Sequence, residues 1–333
     1  MVKFHLYQAA ERSYSFSHSN LLFMKNTPLI LGLITVVAGG GIVFALTRNT
    51  TLLNRRNTVF CSPDGTLTDT QLIQSHRSYC VQSNAEDITI DPNKATKYSF
   101  SIIDDQGNTL KDFTITHTKL MHVIIVRKDL AYFQHVHPEF NSTTGEFTLN
   151  DITFPASGEY RIFADFATTG TQIDHTNHGA DPLTITIADD VLVSGEYNPQ
   201  ATGSEEIRKA FEGNEVTLTT DKPSVSGQET KLSFALKQDG KPVSDLEEYL
   251  GALGHSVILR ESSLDFIHAH PVANANQPQD GVVDFMMQFP KAGKYKIFTQ
   301  FQRNGKIITT DFVISVAQGS ATPDEPFMDH STH

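Results

Sequence analysis

Two stretches of the chain, residues 120–138 and 253–271, align without a gap, are identical at eight of 19 positions, and carry histidines at the same three places. His122, His135 and His137 in the first correspond to His255, His268 and His270 in the second, so the pattern H-x12-H-x-H-P occurs twice. Side chains alternate across a strand, so an H-x-H pair projects both imidazoles from one face. If Lys128-Asp129 forms a two-residue hairpin turn, Arg127 pairs with Leu130, His122 falls opposite His135, and all three rings share a face. The same count around Glu261-Ser262 sets His255 opposite His268. Three neutral imidazoles with an open fourth position suit copper or zinc, and nickel or iron less well.

A fourth ligand in the first copy is expected from Asp165, from Met121, or from His175 and His178 in the following loop. The second copy has Gln300 in place of Asp165 and Gly254 in place of Met121, so the two sites should differ in affinity or metal preference. The competing reading is a buried cluster satisfied by hydrogen bonds, which for any single histidine is the commoner case. Retention of three histidines in copies that differ at 11 of 19 positions favours a histidine-dependent site. His76 stands alone and is left unassigned, and the tail histidines, His330 and His333, are read as part of a disordered terminus that could also capture copper.

The similarity extends beyond the histidines. Residues 154–163 (FPASGEYRIF) match 289–298 (FPKAGKYKIF), and Lys97-Tyr98-Ser99-Phe100 matches Lys231-Leu232-Ser233-Phe234. The unit is a duplicated domain, residues 85–190 and 214–317, too long for a solenoid repeat. Short apolar or alternating runs broken by Gly, Asn, Asp and Pro predict strands, so each copy is expected to be a β-sandwich and the class all-β. Tyr160 and Tyr295 are read as packing residues, and the Pro after each H-x-H as a strand end. Residues 191–213 form the linker, with a short helix expected over 204–211, and 318–333 read as a flexible tail.

Ahead of the first copy, residues 28–47 run for 20 positions without a charge, enough to cross about 30 Å of hydrocarbon as one helix. The four glycines leave an anchor and a cleaved signal peptide both open. Residues 1–27 precede it, and Met24 is an alternative start, which would make residues 1–23 a start-site artefact. Lys and Arg fall on both sides and do not set orientation. Residues 48–84 read as irregular, with Cys61 and Cys80 able to close a loop as a disulfide in an oxidising compartment or to remain two buried thiols. On the disulfide reading the large carboxyl-terminal part lies outside the cytoplasm. A net charge of −12, from 26 Lys+Arg against 38 Asp+Glu, disfavours nucleic acid as a partner. G-x-S-x-G, H-E-x-x-H and P-loop motifs are missing, which disfavours the corresponding hydrolases.

The segments HVIIVRKDLAYFQHVHP…FPASGEYRIFADF and YLGALGHSVILRESSLDFIHAHP…FPKAGKYKIFTQF resemble the exported immunoglobulin-like domains of bacterial copper-associated envelope proteins, the YtkA-like and CopC-like group. The resemblance covers about two-thirds of the chain and implies two tandem immunoglobulin-like or cupredoxin-like sandwiches behind one amino-terminal transmembrane helix. It marks His122, His135, His137, His255, His268 and His270 as the metal residues, while Met-rich stretches found in some copper carriers are missing from the repeats. Three functions compete: a membrane-anchored extracytoplasmic metal-binding protein that sequesters or delivers copper, a copper-dependent redox enzyme, and a structural or adhesion module whose histidines brace the sheet.

Overall fold

The computed structural model describes residues 79–85, 88–104, 106–168, 184–272 and 280–319, together with the backbone of 36–38 and 41–43. The chain divides after Asn57. Of the amino-terminal unit only a short antiparallel pair is described, β1 (Val36–Ala38) with β2 (Gly41–Val43). Otherwise the expected membrane segment, Cys61, His76, the loop with His175 and His178, and the tail from residue 320 lie outside the described residues. Among the described residues no helix is long and apolar enough to cross a membrane.

The rest is all-β and doubled. The first copy comprises β3 (Tyr79–Ser83), β4 (Ala95–Asp104), β5 (Phe113–Thr114), β6 (His122–Arg127), β7 (Phe133–Val136), β8 (Glu139–Asn141), β9 (Glu146–Thr153), β10 (Gly158–Thr168) and β11 (Ile185–Val193). The second comprises β12 (Arg208–Phe211), β13 (Asn214–Thr220), β14 (Glu229–Gln238), β15 (Lys241–Pro242), β16 (His255–Arg260), β17 (Phe266–Ala269), β18 (Val282–Gln288), β19 (Gly293–Arg303) and β20 (Lys306–Val316). Each copy stacks an outer sheet built around β4 or β14 on an inner sheet. The inner sheets run β11-β10-β6-β7 and β17-β16-β19-β20, with all neighbours antiparallel.

Side-chain alternation accounts for the packing. Tyr98, Phe100 and Ile102 of β4 meet Val123 and Ile125 of β6 inside the first sandwich, as Leu232, Phe234 and Leu236 meet Ile258, Ile297 and Phe301 inside the second. Residues of the opposite parity, Ile124, Val126 and Phe163 with Val257, Leu259, Phe266 and Phe298, form a third buried cluster where the two inner sheets face each other. That explains why HVIIVR and HSVILR lack polar alternation: both faces of β6 and β16 are covered. The contact is nearly two-fold, with Phe133 stacked on Phe298 at 4.4 Å and its counterpart Phe266 against Phe163 at 4.9 Å. Burying each such ring contributes about 1.5–3 kcal/mol. Tyr160 and Tyr295 pin the entry to β10 and β19, their hydroxyls donating to the carbonyls of Ala156 (2.8 Å) and Lys291 (2.7 Å).

The short linker helix expected over 204–211 is not formed. Arg208–Phe211 is β12, joined to β13 by Glu212 and Gly213, both with positive φ (48° and 79°), the backbone of a tight hairpin turn. An eight-residue helix has too few internal hydrogen bonds to persist without packing, whereas a strand gains a partner at once. Cys80, on β3, is buried and disulfide-bonded, and Cys61 is the only other cysteine in the sequence.

Candidate metal centre

The hairpin register differs from the two-residue count. Ile124 pairs with His135 and Val257 with His268, so two residues further along the ladder His122 stands opposite His137 and His255 opposite His270. The favoured two-residue hairpin turns need φ above zero at the first centre or at both, a geometry suited to Gly or Asn-Gly and not to Lys128-Asp129 or Glu261-Ser262. The chain uses four-residue connections, each with one left-handed leucine, Leu130 (φ 60°) or Leu264 (φ 57°). The register slips by two residues, and an even slip leaves every side chain on its face. The three histidines of each copy therefore still project together, towards the seam between the inner sheets.

In the first group His122 Nδ1 lies 3.1 Å from His135 Nε2 and 3.2 Å from His137 Nε2. The other ring nitrogens set the tautomers. His122 Nε2–H donates to the Thr116 carbonyl at 3.0 Å, and His135 Nδ1–H donates to Gln300 Oε1 at 2.9 Å. With their protons used there, no proton lies between His122 Nδ1 and His135 Nε2, and His137 Nε2 is the remaining ring nitrogen within reach of His122 Nδ1. Nitrogens bound tetrahedrally at about 2.0–2.1 Å would stand about 3.3–3.4 Å apart, close to what is found.

The second group repeats the design with the same atoms. His255 Nε2–H donates to the Tyr249 carbonyl at 2.8 Å, and His268 Nδ1–H donates to Asp165 Oδ2 at 2.9 Å. His255 Nδ1, His268 Nε2 and His270 Nε2, the counterparts of the converging nitrogens in the first group, are buried without a hydrogen-bond partner among the described residues. In each group the candidate ligand atoms lie within 4.8 Å of one another, so each could hold a metal ion.

Burial keeps these rings neutral. It lowers His122 and pushes His135 down to about 4, His255 to about 3 and His137 to about 2, with neighbouring imidazoles adding to the last three. His268 and His270 are lowered well below the ordinary histidine value for the same reason. The His268–Asp165 contact is therefore a neutral imidazole donating to a carboxyl group, the arrangement that commonly supports a metal-bound histidine. Burial also raises the Asp165 carboxyl.

Two of the candidates for a fourth ligand in the first copy, Met121 and Asp165, are placed elsewhere. Met121 points to the other face of β6, into the core of the first sandwich. Asp165 sits opposite His122 in the β6–β10 ladder, but its oxygens accept from Thr186 Oγ1 (2.8 Å) and from His268 of the second copy. It is an outer partner of the second group and not a ligand of the first. Gly254, opposite Met121 in the alignment, is tight against Phe301, whose ring carbon would come within 3.0 Å of an added Cβ.

His117 was not singled out by the spacing argument, yet it lies at the centre of the seam. It occupies a tight turn between Thr116 and Lys119 with Thr118, both with positive φ (47° and 68°), and Leu250 and Gly251 form the same turn in the second copy. These turns supply the Thr116 and Tyr249 carbonyls. The His117 ring stacks on His270 at 3.8 Å and comes within 6.0 Å of His122, His255 and His268, measured between ring centroids. The one signal available from sequence was its place six residues before Val123, where the other copy has leucine.

The sequence profile described as Domain of unknown function (DUF8832) matches residues 75–178 and 209–318, once over each sandwich. The chain belongs to the DUF8832 family. The two DUF8832 matches contain all six repeated histidines, with Asp165 and His117 in the first and Gln300 in the second. No curated protein matches the chain. Among solved structures it is similar to InvD of Yersinia pseudotuberculosis (13% identity, TM-score 0.24, covering 74% of this chain and 60% of that one). It is also similar to domains 4–9 of the surface layer protein SbsC (12% identity, TM-score 0.21, covering 72% and 31%). A third is Escherichia coli alpha-2-macroglobulin (15% identity, TM-score 0.23, covering 73% and 20%). The chain thus spans at most 60% of these three structures, and at such scores they carry no argument about activity.

Proposed function

We propose that this DUF8832 protein binds two metal ions, one in each three-histidine group, and that its work is to sequester or deliver copper, with zinc the alternative ion. The observation that carries the reading is His122 Nδ1 set 3.1 Å from His135 Nε2 and 3.2 Å from His137 Nε2, with the counterpart nitrogens of the second copy buried and without hydrogen-bond partners among the described residues. The His122 and His135 protons are held by the Thr116 carbonyl and Gln300 Oε1, which leaves the facing nitrogens of these two rings as acceptors for an ion. Neutral imidazoles without thiolate ligands suit Cu(II) and Zn(II). The resemblance to the YtkA-like and CopC-like envelope proteins supports copper. The apolar run at 28–47 and the disulfide at Cys80 support a membrane-anchored location outside the cytoplasm.

The test is titration of the protein with Cu(II) and Zn(II) beside a variant with His135, His137, His268 and His270 changed to Ala. About two equivalents held tightly by the unaltered protein and lost in the variant are expected. No binding by the described domains would leave a structural module of two β-sandwiches. A redox enzyme is the second reading, favoured by the closeness of the two groups: the His122 and His268 centroids are 5.8 Å apart. With nitrogen–metal distances of about 2.0–2.1 Å, ions in the two groups would be no more than about 12 Å apart. Turnover of ascorbate and oxygen by the copper-loaded protein would favour the enzyme; stoichiometric binding without turnover favours the carrier.

A further inference from the structure

Asp165 and Gln300 occupy equivalent places, each opposite the first histidine of its own copy, His122 on β6 or His255 on β16. Each orients a histidine of the other copy. Asp165 Oδ2 accepts from His268 and Gln300 Oε1 accepts from His135, both at 2.9 Å. Thr186 Oγ1 donates to the second oxygen of Asp165, and Gln300 Nε2 donates to Thr309 Oγ1 at 3.2 Å. All four side-chain groups are buried: Asp165 is 0% exposed, Gln300 7%, His135 8%, and the His268 side chain 6%.

The exchange is symmetric in geometry and unequal in chemistry. A carboxylate accepting from the distal N–H of a ligand imidazole raises the basicity of the nitrogen facing the metal, and a neutral amide does so less. The first copy also lends His117, stacked on His270, where the second offers only Leu250 in return. We infer that the two groups load unequally, the second before the first, and that Asp165 and Gln300 are positioning residues, each for the metal group of the opposite repeat. The inference rests on the metal-binding reading.

Two single-group proteins test it, with zinc as the probe and a chromogenic chelator as competitor. His270→Ala leaves the first group intact, and His137→Ala leaves the second, without disturbing either cross-repeat hydrogen bond. The second-group protein should hold zinc about tenfold more tightly or better. Asp165→Asn should weaken that protein about 10- to 100-fold. In the first-group protein the same change should cost only a few-fold, because the carboxylate stands beside His122 in the ladder. Gln300→Leu should do the reverse, weakening the first group and sparing the second. Equal zinc affinities, or a larger effect of each change on the group of its own repeat, would overturn the inference. If Asp165→Asn prevents folding, Gln300→Leu decides alone. Failure of the unaltered protein to bind either zinc or copper is a separate result that removes the metal reading itself.

Discussion

At the scale of residues, the candidate centres depend on where protons are held. In each group two rings commit one proton to a carbonyl, an amide or a carboxyl group, which turns their other nitrogens towards the point where an ion could be held. The neutral state has a cost that appears on acidification. His135 and His255 titrate near 4 and 3 in the folded protein, against about 6.5 for an unfolded chain. Between those values the unfolded state binds more protons, so the metal-free protein keeps its full stability above about pH 6.5 and loses it as pH falls, by about 1.4 kcal/mol per pH unit for each ring. Asp165, whose folded value is raised, acts in the opposite sense and is most favourable at the acid end. Thermal melting of the metal-free protein should therefore drop between pH 6.5 and 4, and a variant with His135 and His255 changed to Gln should show a shallower drop.

At the scale of elements, the two inner sheets act as a clamp. Their facing surfaces hold the Phe133–Phe298 and Phe163–Phe266 pairs, and the histidines lie on the same faces. Phe298→Ala opens a void between the sheets and should cost about 3 kcal/mol in urea unfolding. It should also weaken zinc or copper binding at both groups, because each group takes its outer partner from across the seam. A change confined to one sandwich core, Phe234→Ala, should destabilise by a similar amount and affect the second group more than the first. Comparison of the two variants by denaturation and metal titration separates a shared seam from two independent sandwiches.

At the scale of the whole molecule, metal and disulfide add stability through different states. An ion that binds only the folded protein stabilises it by about 2.7 kcal/mol at a free concentration one hundred times its dissociation constant. The melting temperature should rise with added Cu(II) or Zn(II) and return with a chelator. Reduction of the disulfide at Cys80 frees the unfolded chain and should lower stability by about 2–4 kcal/mol without removing bound metal. Calorimetry in the four combinations of metal and reductant should show the two effects adding, since Cys80 belongs to the outer sheet and the histidines to the inner ones.

The sequence by itself determined what is local and periodic. Alternation along QHVHP and IHAHP put each H-x-H pair on one face, internal similarity showed the duplication, and short broken apolar runs showed an all-β chain. Even the mistaken turn at Lys128-Asp129 kept the three histidines together, because the slip was even. Only the tertiary structure decided which face met which. Both faces of HVIIVR are apolar, so the pattern could not say that one covers the sandwich core and the other meets a second copy of the same sheet. That choice sends Met121 into the core, Asp165 to His268, Gln300 to His135 and His117 onto His270. Contacts between residues more than a hundred positions apart depend on how two closed sheets pack, and strand periodicity carries no record of it.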